Sequence, residues 1–106
     1  MPSGVSLYRW DGLELQKVTE MIARKAIVGV TESLAQAYLK KGALVPIHAH
    51  GGEQMIYVLQ GALRALVDGQ EVTVREGEVL HVPANVPHQA EALDDTFVLD
   101  VRSTPR

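Results

Sequence analysis

The feature that most constrains this 106-residue chain is the even spacing of its turn residues. Gly42, Gly51-Gly52, Gly61, Asp68-Gly69, Gly77, Pro83, Asn85 and Pro87 cut the second half into short segments rich in Val, Leu and Ile. Segments of that length between Gly, Asp and Pro suit strands. Leu63, Ala65 and Val67 alternate with less apolar neighbours up to Asp68-Gly69, and Val72 and Val74 alternate on the return. Asp-Gly is a strong hairpin signal, because a two-residue turn there needs positive φ at both positions. Residues 55–59 are apolar throughout, which predicts a strand covered on both faces, and residues 79–82 and 97–101 read similarly. Residues 13–26 have a composition compatible with a helix, yet Val18, Ile22 and Ile27-Val28 also suit short strands. Our reading is strands and loops over residues 10–39, with a short helical turn near residues 18–21. The whole pattern predicts an all-β fold, an antiparallel barrel or jelly roll.

The length fits one domain, residues 1–106, with the core barrel over about residues 30–102. The formal charge is −3, and the ten Lys and Arg are scattered without a basic stripe. That argues against nucleic acid as the main partner. The absence of cysteine excludes disulfides, thiolate metal sites and cysteine nucleophiles. No apolar run approaches membrane-spanning length, and the first residues lack the basic-then-apolar layout of a signal peptide. A cytoplasmic protein with no membrane partner is therefore expected.

Four histidines are present: His48, His50, His81 and His88. Residues two apart on a strand share a face, and Pro46 before the first pair and Gly51-Gly52 after it disfavour a helix. His48 and His50 thus present two imidazoles side by side, half of a metal site. Gln54 shares their alternation parity, and Glu53 beside it is its rival if a one-residue bulge intervenes. His88 follows the rigid segment Pro83-Ala84-Asn85-Val86-Pro87, which can aim a side chain from a fixed scaffold. His81 lies outside this group and reads as a packed or surface histidine. Trp10 and Tyr57 read as packing residues, while Tyr38, Gln36, Arg24 and Met55 are candidates to line a cavity.

These residues carry a resemblance. Gly42 is followed by five residues, His48-Ala49-His50, three residues, Gln54, six residues and Gly61. Gly77 is followed by five residues, Pro83-Ala84-Asn85, two residues and His88. Both stretches resemble the two motifs of the cupins, whose fold is a double-stranded β-helix or jelly-roll barrel. Asn85 stands where the motif has glycine, tolerable because Asn accepts left-handed backbone better than most residues. Ala92 stands where the second motif often has Asn, and Gln54 stands where many cupins have Glu. The resemblance implies one divalent transition metal, held by His48, His50, Gln54 and His88. Imidazole-rich sites take Zn, Ni, Fe, Mn, Co or Cu. With a neutral amide in place of a carboxylate, the metal keeps its full positive charge, which favours Lewis-acid chemistry over oxidation.

Within the cupins the chain most resembles the pectin-degradation branch, which opens the ring of unsaturated uronates. His48-Ala49-His50-Gly51-Gly52-Glu53-Gln54, the segment from Pro83 to His88, and the tail Asp100-Val101-Arg102-Ser103-Thr104-Pro105-Arg106 carry this likeness. It implies a metal-dependent enzyme that opens or tautomerises an unsaturated uronate or similar sugar acid. Asp100 matches an acidic pocket residue, for moving a proton, and Arg106 a terminal arginine, for holding a substrate carboxylate. Arg102 falls where that branch has an aromatic residue, which puts the substrate in question. A small metal-dependent dioxygenase and a non-catalytic binding or sensory barrel are the alternatives. Small cupins of this kind generally pair, so the resemblance also implies a homodimer.

Overall fold

Ten strands run through residues 3–103, the part of the chain that the computed structural model describes. They are β1 (Gln16–Lys17), β2 (Ile22–Val28), β3 (Glu32–Leu39), β4 (Leu44–His48) and β5 (Gln54–Gln60), followed by β6 (Ala62–Val67), β7 (Gln70–Arg75), β8 (Val79–Val82), β9 (His88–Ala92) and β10 (Thr96–Ser103). All pairings are antiparallel. One sheet has six strands in the order β1-β2-β3-β10-β5-β8, and the other has four in the order β4-β9-β6-β7.

The two sheets share one apolar cluster. Leu39, Val58 and Val98 enter it from the six-stranded sheet, and Leu63, Val74 and Ala92 from the four-stranded one. Val58 and Val82 are fully buried. Strand alternation decides what else faces this interior. On β5 the inward set is Gln54, Ile56 and Val58, and on β10 it is Val98, Asp100 and Arg102. The same period puts polar groups at one end of the interior and aliphatic packing at the other.

The Asp68-Gly69 hairpin forms as its sequence requires, with φ of 50° and 80° at the two turn residues and Val67 paired to Gln70. Asn85 takes φ of 66° in the glycine position of the second motif. Two expectations are corrected. Residues 18–21 form a bend, not a helical turn: Val18 and Thr19 N–H both donate to Ile22 O, at 2.8 and 3.1 Å, closing the β1–β2 hairpin. Thr19 Oγ1 also accepts from Met21 N–H at 3.1 Å, a local bond that competes with helix. A short 3-10 turn lies earlier instead, at Trp10–Gly12. The second correction concerns residues 55–59, which are not covered on both faces. Met55, Tyr57 and Leu59 are 44%, 39% and 39% exposed, and Val79 on the neighbouring strand is 55% exposed. No helix among the described residues is long and apolar enough to cross a membrane.

Candidate metal centre

β4 ends at His48, and its register partner His48↔His88 puts the start of β9 directly beside it. His50 lies just beyond the strand, before the Gly51-Gly52 bend, not on β4 itself as the alternation argument supposed. The register shift between Val45 and His48 and the turn after it nonetheless bring the rings together. Ring centroids of His48 and His88 are 4.1 Å apart, and those of His50 lie 5.5 and 5.2 Å from them. One ring nitrogen from each lies within 4.8 Å of the other two.

Short local hydrogen bonds orient all three rings. His48 Nδ1 is 3.0 Å from Pro46 O, His50 Nδ1 is 2.8 Å from Gly52 O, and His88 Nδ1 is 2.8 Å from Val86 O. A carbonyl oxygen can only accept, so each Nδ1 carries a proton and donates. In the neutral ring this leaves every Nε2 with a bare lone pair. His88 Nε2 is buried and has no hydrogen-bond partner. Burying an acceptor unsatisfied costs about 1–3 kcal/mol, so an orphan of this kind points to a ligand.

Gln54 completes the group. Its side chain is 3% exposed, its Nε2 donates to Asp100 Oδ1 at 2.9 Å, and its Oε1 lies 3.1 Å from His50 Nε2. A carboxylate only accepts, so Asp100 fixes which end of the amide faces the histidines. Two lone pairs, on Oε1 and on a neutral Nε2, therefore face each other, a repulsive contact that a cation between them would relieve. Two atoms bound cis to one ion at roughly 2.1 Å would sit about 3.0–3.4 Å apart, which the observed contact matches. The donor set thus fits a divalent transition metal. Gly52 makes the arrangement possible, since a Cβ there would stand 1.6 Å from Ser103 O. Ser103 in turn clasps the loop: its N–H donates to Glu53 O and its Oγ accepts from Glu53 N–H, both at 3.0 Å.

Of Gln54 and Glu53, Gln54 is the one whose side chain faces the histidines. Glu53 is exposed and its carboxylate meets His81 Nε2 at 2.7 Å. His81 is exposed as well, so both lie outside the cluster. Burial lowers the pKa of His88 below its ordinary value. The hydrogen bond to Val86 opposes that shift, and the nearby charges of His48, His50 and Arg102 add to it. All of these effects except the Val86 hydrogen bond favour neutral His88, the form in which imidazole binds metal.

His48 and His88 open into a cavity of about 220 Å³ between the sheets. His48, Gln54, His88, Asp100, Arg102 and Arg24 line it among apolar neighbours. Asp100 Oδ2 also accepts from Arg102 Nε at 3.3 Å, and the two side chains are 14% and 36% exposed. The Gln54–Asp100 bond spans 46 positions of sequence, so no local pattern announced it. Among the cavity candidates, only Arg24 lines it. Tyr38 and Met55 are exposed, Gln36 contacts the Tyr38 hydroxyl at 3.5 Å, and Tyr38 stacks on Phe97 at 4.7 Å. Trp10 is half-buried, and its carbonyl accepts from Lys25 Nζ at 2.8 Å. Arg106 lies outside the described residues.

Comparison with known proteins agrees with this geometry. The chain is 28% identical over 75 residues to the uncharacterized protein MJ1618 of Methanocaldococcus jannaschii, covering 70% of this chain and 60% of that one. It is 39% identical over 56 residues to the 3-hydroxyanthranilate 3,4-dioxygenase of Mus musculus, 49% of this chain but 20% of the enzyme. The chain thus spans less than two thirds of either relative. Among solved structures, KdgF from Halomonas sp. superposes with a TM-score of 0.87 at 27% identity, covering 96% of each chain. The cupin domain pattern matches residues 36–101, more than half of the chain, and takes in the three clustered histidines. The two facing antiparallel sheets are accordingly the cupin jelly roll, and the chain belongs to the cupin family as a small member close to KdgF.

Proposed function

We propose that this protein is a metal-dependent enzyme that opens the ring of, or tautomerises, a small unsaturated uronate or similar sugar acid. The observation that carries the reading is the clustering of His48, His50 and His88 with Gln54 Oε1, beside a cavity that His48, Gln54, His88 and Asp100 line. A cavity of about 220 Å³ falls below the roughly 300–1,000 Å³ usual for drug-sized ligands, so the substrate is small. The likeness to KdgF over nearly the whole of both chains, and the resemblance of the motifs to the pectin-degradation cupins, support the choice of substrate class.

His48, His50, His88 and Gln54 would hold the metal, and a divalent ion there supplies Lewis-acid polarisation of a substrate oxygen. The remaining work falls to the chain's own groups. Opening a cyclic unsaturated uronate removes a proton from the anomeric hydroxyl, breaks the ring C–O bond and leaves an enolate. Returning a proton to the former alkene carbon gives the linear keto acid. One group can perform both transfers, and Asp100 is the carboxylate in the cavity. Gln54 and Arg102 hold it from two sides, and its free lone pairs remain for the substrate. Arg106 is proposed, from the family resemblance alone, to hold a substrate carboxylate. Position 54 lacks a carboxylate, yet Asp100 stands directly behind the amide and places a negative charge near the site.

The test is turnover of a 4,5-unsaturated galacturonate by metal-free protein, by protein reloaded with single metals, and by His50→Ala. We expect activity to require metal and to vanish in the variant; turnover by metal-free protein would remove the metal from the mechanism. A dioxygenase is the second reading, favoured by the 39% identity to the mouse 3-hydroxyanthranilate 3,4-dioxygenase. Oxygen uptake by the iron-loaded protein with an aminophenol acid would decide for it. Regarding assembly, we propose that a second copy covers the outer face of the six-stranded sheet. The exposed row Tyr38, Tyr57, Leu59 and Val79 supports this, since side chains so apolar are usually covered.

A further inference from the structure

Arg24 has a role to which neither the motifs nor the metal cluster point. It sits on β2 opposite Ala37 of β3, and both residues line the cavity. Its Nε is buried and without a hydrogen-bond partner. Among the described residues, no ion pair engages it either. The residue as a whole is half-buried, but a buried N–H left without an acceptor is costly, and such a donor marks a place where a ligand can complete it. The other arginine of the cavity differs: Arg102 Nε is already engaged by Asp100 Oδ2 at 3.3 Å. The neighbours of Arg24 in the cavity include Val18, Ile22, Ala35 and Ala37, an apolar wall that strengthens the pull of a guanidinium on an anion. The alanines also leave open the space that larger side chains would fill.

The register fixes where this group lies relative to the histidines. Arg24 is level with Ala37 and Val98, while Gln54 is level with Arg102. Val98 and Arg102 are four residues apart on β10, a rise of about 13 Å at roughly 3.3 Å per residue. Arg24, His48, Gln54 and His88 nevertheless line one and the same cavity, so a single small molecule can face both ends. We propose that Arg24 is the carboxylate anchor of this cavity, holding the acid group of a substrate whose reacting oxygen lies at the histidines. The planar guanidinium can grip a carboxylate through two parallel N–H donors, a match that a lysine lacks. This deepens the function proposed above, and it rests on that reading only for the identity of the acid.

The experiment uses the full chain loaded with metal and two unreactive probes, D-galacturonate and D-galactose, followed by calorimetric titration. Galactose differs only in carrying a neutral CH2OH where galacturonate has the carboxylate. In Arg24→Gln, with metal content and melting temperature matching the wild type, we expect galacturonate to bind about 30-fold more weakly and galactose to bind unchanged. Arg24→Lys should fall between the two, because it keeps the charge and loses the fork; should the Gln variant fail to fold, this variant carries the test. Galacturonate binding within threefold of wild type in Arg24→Gln, or equal to wild type in Arg24→Lys, overturns the assignment. So does a wild-type protein that binds galacturonate no better than galactose. The two proposals fail separately. If galacturonate binding depends on Arg24 while the unsaturated uronate is never turned over, the anchor stands and the reaction falls. If the uronate is turned over with KM unaltered by Arg24→Gln, the reaction stands and the anchor falls.

Discussion

Replacing Asp100 separates two jobs that the structure gives to one carboxylate. Its Oδ1 accepts a hydrogen bond from Gln54 Nε2 at 2.9 Å, and its Oδ2 accepts one from Arg102 Nε at 3.3 Å. Asp100→Ala removes both acceptors and frees the Gln54 amide to turn its Oε1 away from the histidines. Losing a group that orients a metal ligand costs about 10–100-fold in metal affinity, or about 1.4–2.7 kcal/mol. Asp100→Asn behaves differently. Its amide oxygen can still accept from Gln54, so metal affinity should stay within about threefold, while its NH2 group turned to Arg102 is mismatched. An amide cannot take up a proton at neutral pH, so turnover of the uronate should drop by about 10²–10⁴-fold in the Asn variant. Competition for zinc between the protein and a chromogenic chelator reads the first quantity, and ultraviolet loss of the substrate alkene reads the second. Wild-type zinc affinity in Asp100→Ala would refute the idea that this carboxylate positions Gln54 for a metal.

Three further outcomes follow from the same contacts. Gly52→Ala puts a Cβ onto the Ser103 carbonyl and should displace the His50 turn, lowering both thermal stability and zinc affinity; a variant that melts and binds like wild type would contradict the close approach. The metal-free protein should lose stability as pH falls below 6.5, the ordinary imidazole value. In the window between that value and the lowered pKa of folded His88, the unfolded chain binds a proton that the folded chain refuses, so folding weakens with acid and is unaffected above the window. Urea melts at several pH values check this, and an equally steep loss in His88→Gln would assign the effect elsewhere. Tyr57→Lys, on the outer face of the six-stranded sheet, should convert a homodimer to monomer in light scattering; a monomeric wild type would remove the proposed pairing.

Much of this molecule was legible in its sequence because the informative signals are local. Asp68-Gly69 specifies a hairpin turn through its backbone demands, and Gly77 to His88 specifies a turn that delivers one imidazole. Gln54 faces the histidines, but not by the parity argument, which assumed one strand through residues 48–54 where β4 ends at His48 and β5 begins at Gln54. Local signals fail where the deciding neighbour is distant. The amide of Gln54 is fixed by Asp100 from another strand, and nothing near either residue records it. Residues 55–59 carry no mark of which face the fold leaves open, since an apolar run looks the same whether another layer or another copy covers it. Residues 18–21 went to a bend because Thr19 offers its own hydroxyl to the backbone, an alternative that composition does not weigh. Parity also separates Arg24 from Tyr38 and Gln36, once the register of β2 against β3 is known.

The central claim is that His48, His50, His88 and Gln54 together hold one divalent metal ion. X-ray absorption of the metal-loaded protein tests it most directly. The account predicts one ion per chain, surrounded by three imidazole nitrogens and oxygen ligands at about 2.0–2.2 Å. It further predicts that His88→Ala lowers the imidazole count by one and sharply weakens retention of the ion. A metal with fewer than three imidazoles in the wild type, or a spectrum unchanged by His88→Ala, would contradict it.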